Sequence, residues 1–436
     1  MTRVSPLPAP PPPDYPSARV TKKKIAVVLV DRANYARLRP VMQELQRQGE
    51  VELQVVCAGT MLLERFGRAR DVVEKDGFPI ASEIYLEVEG SVPITMTKGI
   101  GLGVIEFASE FQRLKPDFVL LIGDRYEALA ATVAAVYQNF CLIHLQGGEV
   151  SGSIDESTRH AITKLAHYHF PATKRAGEYI VAMGEDPATV FPLGCPCCDV
   201  VKEATEQLPA AVLARYGVGM PIDFAKPFLL VLFHPVTTDY GHQEDQMKEV
   251  LTVVERLGTQ TVLLWPNIDA GADRISKAIR RFREFHHDFP LHAYKNLEPE
   301  VYLPLLKNAA CCIGNSSSFV RETSFLGTPV VLVGARQDGR EWSPSVRRVE
   351  PRAVEIETAV RAQLAHGRYA ASTIYGKPGV AGMIARQVAQ LTPYVQKRLH
   401  YTRTAAPANS ARSMVEPHSK PAGASGADSS FPEPQS

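Results

Sequence analysis

An acid and a cation, Asp124 and Arg125, stand together just after the apolar run Phe118–Ile122. At the end of a strand, such a pair is either a structural ion pair or a general base beside a phosphate clamp. A carboxylate can move a proton, and a guanidinium can bind phosphate through two parallel hydrogen bonds. The pair alone leaves both interpretations open.

A second candidate segment follows the apolar run 142–145. Residues 146–155 have the sequence QGGEVSGSID, and their three glycines let a backbone approach a ligand closely. The loop carries the carboxylates of Glu149 and Asp155. The predicted helix after it carries three cationic side chains, those of Arg159, His160 and Lys164. This concentration of charge around one turn favours a functional site over a solvated loop.

The second half of the chain has further polar strand ends. His234 follows the run 228–233, and a histidine there can transfer protons near neutral pH. Asn267 follows the run 261–265. Residues 314–318, GNSSS, lead into a predicted helix that carries Glu322, placed to accept hydrogen bonds from a ribose diol. Hydroxyls and free N–H groups at such a helix start bind phosphate, although an N-cap is the ordinary role.

The apolar runs predict short strands that are buried on both faces. They are rich in Val, Ile and Leu and do not alternate with polar residues, which is typical of parallel strands. Segments with helical periodicity lie between them, at 35–48, 126–138 and 246–257. This repetition predicts a doubly wound α/β fold. The predicted strands are 25–30, 53–57, Phe118–Ile122, 142–145, 228–233, 261–265, 311–313 and Val330–Val333.

A stretch without a strand pattern, at 205–227, divides the strands into two groups. We therefore predict two Rossmann-like domains facing each other across a cleft, with ligands beyond the carboxyl ends of the strands. The predicted domains are 23–205 and 206–380, followed by a helix within 381–400 that packs back. Residues 1–22 and 401–436 are rich in Pro, or in Ala, Ser and Pro, and are predicted to be disordered tails.

Composition and charge exclude several classes of protein. The 436 residues include 48 Lys and Arg against 47 Asp and Glu, a formal net charge of +1, whereas nucleic-acid binders need a basic surplus. The apolar runs are far shorter than the roughly 20 residues that span a bilayer, and the Pro-rich N-terminus is not a secretory signal. Seven cysteines indicate reduced thiols. We expect a cytoplasmic protein with no nucleic-acid and no membrane partner.

The sequence carries no motif for a cofactor or a metal. Residues 31–35, DRANY, follow the first strand without the glycines of a dinucleotide fingerprint, and there is no P-loop. The alternating glycines at 99, 101 and 103 follow no strand and predict a weakly helical or loop segment. The cysteines of residues 195–198, CPCC, lack a second pair at zinc spacing, and the nearby histidines form no H-E-x-x-H. We predict neither cofactor nor metal.

Seven segments, in order, carry a family resemblance: GDR at 123–125, GGEVSGSID at 147–155, RHAITKLAHYH at 159–169, HPVTTD at 234–239, PNIDAG at 266–271, GNSS at 314–317 and GARQ at 334–337. They resemble the hydrolysing UDP-N-acetylglucosamine 2-epimerases, which include bacterial enzymes of sialic-acid synthesis and half of a bifunctional animal enzyme. The resemblance covers roughly residues 24–390. It implies the two-domain GT-B fold with a UDP-sugar in the cleft, and no redox cofactor.

The resemblance also implies a reaction and roles for individual residues. UDP-GlcNAc and water would become UDP and N-acetylmannosamine, through anti elimination of UDP and addition of water. Asp124 and Asp155 match the catalytic carboxylates, and His234 is implied to shield or protonate the leaving phosphate. The other implied nucleotide contacts are Arg32, Arg125, Asn267, Ser316, Ser317, Glu322 and Arg336.

Gln146 departs from the family pattern. Many members have a catalytic Glu in the motif HIEGGE, whereas residues 144–149 are HLQGGE. A glutamine amide cannot exchange a proton at any relevant pH. Either Glu149 takes over the acid–base task, or Asp124 and Asp155 act alone, or activity is reduced.

Several functions therefore stay open beside the expected hydrolysing UDP-GlcNAc 2-epimerase. They are the same reaction on a modified UDP-2-acetamido sugar, a GT-B glycosyltransferase, and a weakened UDP-sugar sensor. The resemblance implies a homodimer or homotetramer. Lys277 and Arg280 fall where the animal enzyme has arginines of its CMP-sialic-acid feedback site, so feedback regulation is a further expectation.

Overall fold

The computed structural model describes residues 22–203, 207–295 and 297–401. By its internal contacts the chain divides into a unit of residues 1–397, which contains the fold and the site, and a second unit of residues 398–436. The predicted tails lie outside the described residues, apart from Lys22 and Tyr401. Among the described residues, no helix combines the length and the apolar character that crossing a membrane requires.

The first half of the described chain forms a sheet of six parallel strands. The strands are β1 (Lys23–Leu29), β2 (Val51–Ala58), β3 (Ile80–Ile84), β4 (Phe118–Ile122), β5 (Cys141–Leu145) and β6 (Tyr168–Phe170). The helices are α1 (Arg32–Arg47), α2 (Arg70–Lys75), α3 (Pro93–Leu114), α4 (Tyr126–Tyr137), α5 (Ile154–Leu165), α6 (Lys174–Ala182) and α7 (Cys197–Glu203). The strand order is β3-β2-β1-β4-β5-β6.

The second half forms a sheet in which seven strands are described, six of them parallel. The strands are β7 (Val218–Gly219), β8 (Leu229–Leu232), β9 (Thr261–Leu264), β10 (Leu291–Tyr294), β11 (Cys311–Gly314), β12 (Val330–Val333) and β13 (Val346–Val349). The helices are α8 (Ala210–Leu213), α9 (Gln243–Leu257), α10 (Ala272–Phe285), α11 (Pro299–Asn308), α12 (Glu322–Leu326), α13 (Ala353–His366) and α14 (Val380–Gln390). The strand order is β13-β12-β11-β8-β9-β10-β7.

Hydrophobic packing on both faces explains why the strands are continuous apolar runs. In β1, Ile25 and Val27 belong to a core formed with α1 and α14, whereas Ala26 and Val28 belong to a second core formed with α3 and α4. Side chains of a strand alternate between faces, so a strand covered on both sides needs apolar residues at every position.

Both sheets have the strand order of a Rossmann-type fold. Counted within each half, and leaving out the antiparallel β7, the order is 3-2-1-4-5-6. The predicted class, two Rossmann-like domains in a GT-B arrangement, is therefore confirmed. In such sheets the ligand lies where the strand order reverses, which is beyond β1 and β4 in one half and beyond β8 and β11 in the other.

Some elements differ from the prediction. The glycines at 99, 101 and 103 lie inside the long helix α3, and a Cβ on Gly103 would come within 2.9 Å of Ala130 Cβ on α4, so glycine there permits close helix packing. The stretch 205–227 contains β7, whose two exposed residues gave no strand pattern. Strands β3, β6, β10 and β13 were not predicted, because polar residues interrupt their apolar sequence.

Candidate active site

A cavity of about 310 Å³ lies between the two halves, at the carboxyl ends of strands from both sheets. Ten of the twelve predicted site residues line this cavity: Arg32, Asp124, Arg125, Asp155, His234, Asn267, Ser316, Ser317, Glu322 and Arg336. They come from seven separate segments, which the strand ends bring together. The cavity is the candidate active site.

Asp124 lies on the turn between β4 and α4, beside two arginines. Arg159 Nε, on α5, donates to its Oδ2 at 3.0 Å, and Arg340 Nη2 lies 3.6 Å from the same oxygen. Burial alone would raise the pKa of the Asp124 carboxyl, but Arg159 and Arg340 hold that pKa well below its ordinary value. Asp124 is therefore ionised at neutral pH.

Asp155, in the first turn of α5, has a pKa that is shifted in the opposite direction to that of Asp124. Its pKa is raised by burial and by the negative charge of Asp124, and the Arg336 guanidinium offsets this only in part. Arg336 Nη2 lies 3.5 Å from Asp155 Oδ2 and reaches it from the other half of the chain. Two carboxylates whose pKa values are pushed apart in one cavity can divide the roles of acid and base.

His234 follows β8 and is held in one tautomer. Its Nδ1 accepts a hydrogen bond from the Asn267 backbone N–H at 3.2 Å, so the ring proton is on Nε2. Burial, with the positive charge of Arg336, lowers the pKa of His234 to about 3. A neutral imidazole with an Nε2–H can donate a hydrogen bond to an anionic group in the cavity.

The turn after β11 brings hydroxyls to the cavity. Asn315 joins it to β8, because its Oδ1 accepts from the His234 N–H at 2.7 Å and its Nδ2 donates to the His234 carbonyl at 2.8 Å. Gly314 is required here, since a Cβ would meet the Leu232 carbonyl oxygen at 1.9 Å. The following residues, Ser316 and Ser317, start a 3-10 turn facing the cavity, which suits a phosphate group.

Arg125 is a structural ion-pair partner in this structure as well as a lining residue. Its Nε and Nη2 donate to Glu127 at 3.1 and 2.9 Å, and its Nη1 donates to Asp269 of the second half. Its guanidinium thus already neutralises two carboxylates. Arg125 therefore pairs with Glu127 and Asp269, and not with its sequence neighbour Asp124.

Three buried polar atoms of the cavity wall have no hydrogen-bond partner in the part of the chain that the structure describes. They are Arg32 Nε, Asn267 Oδ1 and Glu322 Oε2. Buried polar groups in native proteins are almost always paired. One donor and two acceptors of lining residues are therefore left unpaired inside the cavity wall.

Gln146 and Glu149, the other two predicted catalytic residues, do not line the cavity. Gln146 is 2% exposed, and its amide donates to Cys195 Sγ at 3.1 Å. Glu149 pairs with Arg321 and lies 3.6 Å from Arg340 Nε, and these arginines lower its pKa although burial opposes them. Of the three alternatives, the one in which Glu149 takes over the acid–base task is the least supported by this geometry, because its carboxylate lies in a buried ion-pair network.

Arg37 and Asp31 are two of the polar lining residues that were not predicted from the sequence. Arg37, on α1, donates to Ser317 Oγ and to Glu322 Oε1, both at 3.3 Å, and so joins the two halves. Asp31 lines the cavity from the end of β1. Asp31 belongs to the motif 31–35, and Arg37 lies two residues beyond it. The polar side chains of this segment were the signal that could have identified both.

Lys277 and Arg280, expected to mark a feedback site, lie on α10 and do not line the cavity. Lys277 Nζ instead lies 3.2 Å from Glu244 Oε2 on α9. Feedback regulation stays a prediction.

Two Rossmann-type halves with a cavity between their strand ends define the GT-B fold class. The structure is similar to the crystal structure of a Neisseria meningitidis UDP-GlcNAc 2-epimerase bound to UDP-GlcNAc, with a TM-score of 0.68 and 16% sequence identity. The match covers 84% of this chain and 100% of that chain, and at this identity it shows a shared fold.

Sequence comparison identifies the family. The family model described as UDP-N-acetylglucosamine 2-epimerase matches residues 43–389. The chain is 33% identical over 354 residues to the UDP-N,N'-diacetylbacillosamine 2-epimerase (hydrolyzing) of Legionella pneumophila, covering 81% of this chain and 92% of that relative. It is 30% identical over 323 residues to the GDP/UDP-N,N'-diacetylbacillosamine 2-epimerase (hydrolyzing) of Campylobacter jejuni, covering 74% and 83%. The chain belongs to the UDP-N-acetylglucosamine 2-epimerase family.

Proposed function

We propose that this chain is a hydrolysing 2-epimerase, which converts a UDP-2-acetamido sugar and water into UDP and the free 2-epimer. With UDP-GlcNAc the free product is N-acetylmannosamine. The observation that carries the proposal is the pair Asp124 and Asp155, which share one cavity and have pKa values pushed in opposite directions. The reaction needs proton transfers at C2 and at the attacking water, which carboxylates in different protonation states can share.

The first half-reaction is an elimination. A carboxylate takes the proton from C2, the C2–H electron pair forms the C1–C2 double bond, and the C1–O bond breaks with its electrons on the β-phosphate oxygen of UDP. The leaving phosphate gains charge, which Arg336 and the Nε2–H of His234 are suited to stabilise.

The second half-reaction adds water across the double bond. The water oxygen bonds to C1 and gives one proton to a carboxylate, while C2 takes a proton on the face opposite to the one that lost it. The configuration at C2 is thereby inverted, and one proton is released together with UDP.

The cavity wall supports a nucleotide diphosphate as part of the substrate. Apolar side chains of the second half, among them Leu264, Tyr302 and Leu303, offer a surface for a base. The hydroxyls of Ser316 and Ser317 suit the diphosphate. Glu322 lines the same wall, where a carboxylate suits a ribose hydroxyl.

UDP-N,N'-diacetylbacillosamine is a second candidate substrate, since the Legionella and Campylobacter relatives are named for it. The cavity wall of the first half supports it as well. Ala33, Phe66 and Ala69 line the cavity there, and an apolar wall suits a sugar with fewer hydroxyl groups.

Proton NMR of the purified protein in heavy water tests the proposal with either UDP-sugar. We expect UDP and a free 2-epimer that carries deuterium at C2. An epimer still attached to UDP would instead show a non-hydrolysing epimerase. Release of UDP only with an acceptor would show a glycosyltransferase, and tight binding without turnover would show a sensor.

A further inference from the structure

Asp31 is a carboxylate of the cavity wall to which the proposed reaction has so far given no role. It follows β1 and caps α1, where its Oδ1 accepts the backbone N–H of Asn34 at 2.7 Å. Its side chain is 25% exposed and lines the cavity. The cap uses one carboxylate oxygen and leaves the other available.

Asp31 and Asp124 stand at equivalent positions after two neighbouring, paired strands. Ile25 of β1 pairs with Phe118 of β4, and Val27 pairs with Leu120. Asp31 is six residues beyond Ile25, and Asp124 is six residues beyond Phe118, so the two acids occupy equivalent positions after neighbouring strands.

Asp31 and Asp155 follow the two strands that flank β4, the strand that precedes Asp124. In the sheet, β4 has β1 on one side and β5 on the other. Asp31 follows β1 directly, whereas Asp155 ends the loop that follows β5. A sugar ring bound over Asp124 would therefore have one carboxylate on each side.

The second oxygen of Asp31 is weakly engaged. Its Oδ2 lies 3.8 Å from Arg125 Nε, and the N–H groups of Arg125 are directed to Glu127 and Asp269. Asp124, by contrast, is bound by Arg159 and Arg340. The carboxylate of Asp31 thus has one oxygen without a hydrogen bond from an arginine, at the wall of the cavity.

We propose that Asp31 is a further catalytic residue, which exchanges the proton at C2 on the face of the sugar opposite to Asp155. The inference rests on the proposed function, since inversion at C2 needs one group on each face. One carboxylate takes the C2 proton as UDP leaves. The other gives its proton to C2 as water adds at C1, and is reprotonated by that water. The first carboxylate then gives its proton to solvent, which is the one proton released with UDP. Gln146 cannot fill this role, because an amide transfers no proton.

The variant Asp31→Asn separates this role from the helix cap, because asparagine caps a helix as well as aspartate does. We expect turnover to fall at least roughly 100-fold, with the thermal midpoint and the UDP affinity unchanged. Asp186→Asn is the matched control. Asp186 also caps a turn, accepting the Ala188 N–H at 3.0 Å, and does not line the cavity, so its turnover should stay at the wild-type level.

Proton NMR in heavy water then assigns the step. If Asp31→Asn releases UDP and accumulates the unsaturated sugar, Asp31 returns the proton; if it releases no UDP, Asp31 removes it. Wild-type turnover with deuterium at C2 would overturn the proposal, as would a loss of activity explained by lost UDP binding. If the wild-type protein itself forms neither UDP nor a free sugar from both UDP-sugars, the proposed function fails and Asp31 loses its role with it.

Discussion

Arg37 Nη2 lies 3.3 Å from Glu322 Oε1, and this ion pair connects α1 of the first half with α12 of the second across the candidate active site. Both side chains are largely buried, at 11% and 10% exposure. Arg37 also donates to Ser317 Oγ. The pair therefore couples the relative position of the halves to the residues proposed to hold the nucleotide.

Replacing Arg37 should both destabilise the protein and weaken UDP binding. In Arg37→Met the carboxylate of Glu322 stays buried without its partner, which typically costs about 3–5 kcal/mol of unfolding free energy. Chemical denaturation and calorimetric UDP titration measure the two effects. The double variant Arg37→Met/Glu322→Gln removes the unpaired charge and should recover part of the stability; if it is no more stable than Arg37→Met, the pair does not stabilise the fold.

Asp124→Asn and Asp155→Asn should each lower turnover by roughly two to four orders of magnitude while UDP still binds. An amide keeps the shape of the carboxylate but moves no proton. Asp124→Asn should also lower stability, because Arg159 and Arg340 are left without their shared carboxylate. UDP-release kinetics and denaturation are the measurements, and two variants with near-wild-type rates would contradict the assigned chemistry.

The neutral state of His234 predicts how ring protonation and the free energy of unfolding depend on pH. With its pKa lowered to about 3, the folded imidazole stays neutral at pH 5, whereas the unfolded one takes up a proton below about 6.5. The unfolded state thus binds more protons, and the His234 contribution makes stability fall as the pH drops below about 6.5. Nitrogen NMR of the ring should show an Nε2–H tautomer unchanged between pH 8 and 5; titration near pH 6.5 would refute it.

Gln146→Glu should not raise turnover. The side chain is buried against Cys195 rather than facing the cavity, so a carboxylate there would be desolvated and would lower stability. Gln146→Met, similar in volume and uncharged, is the control for packing. Thermal unfolding and UDP release compare the two variants, and a tenfold or greater gain in rate for Gln146→Glu would mean that position 146 acts on the sugar.

Local sequence was sufficient for the α/β class and for ten of the residues that line the cavity. Runs such as Phe118–Ile122 are apolar at every position because helices cover both faces of the sheet, and polar residues just after them must lie at one edge. That is why Asp124, His234 and Ser316 could be predicted without coordinates. Strands such as β13, with the sequence VRRV, lack this signature because Arg347 and Arg348 are not buried.

Tertiary structure decided which charged groups act on one another. Asp124 is held by Arg340, Glu149 by Arg321 and Glu322 by Arg37, and each pair joins residues far apart in sequence. Periodicity and turn chemistry depend on neighbours along the chain, whereas the pKa of a carboxylate depends on its burial and on charges brought near by folding. The sequence by itself therefore determined where the acids of this site stand, and only the packing of the two halves decided which of them remain available for proton transfer.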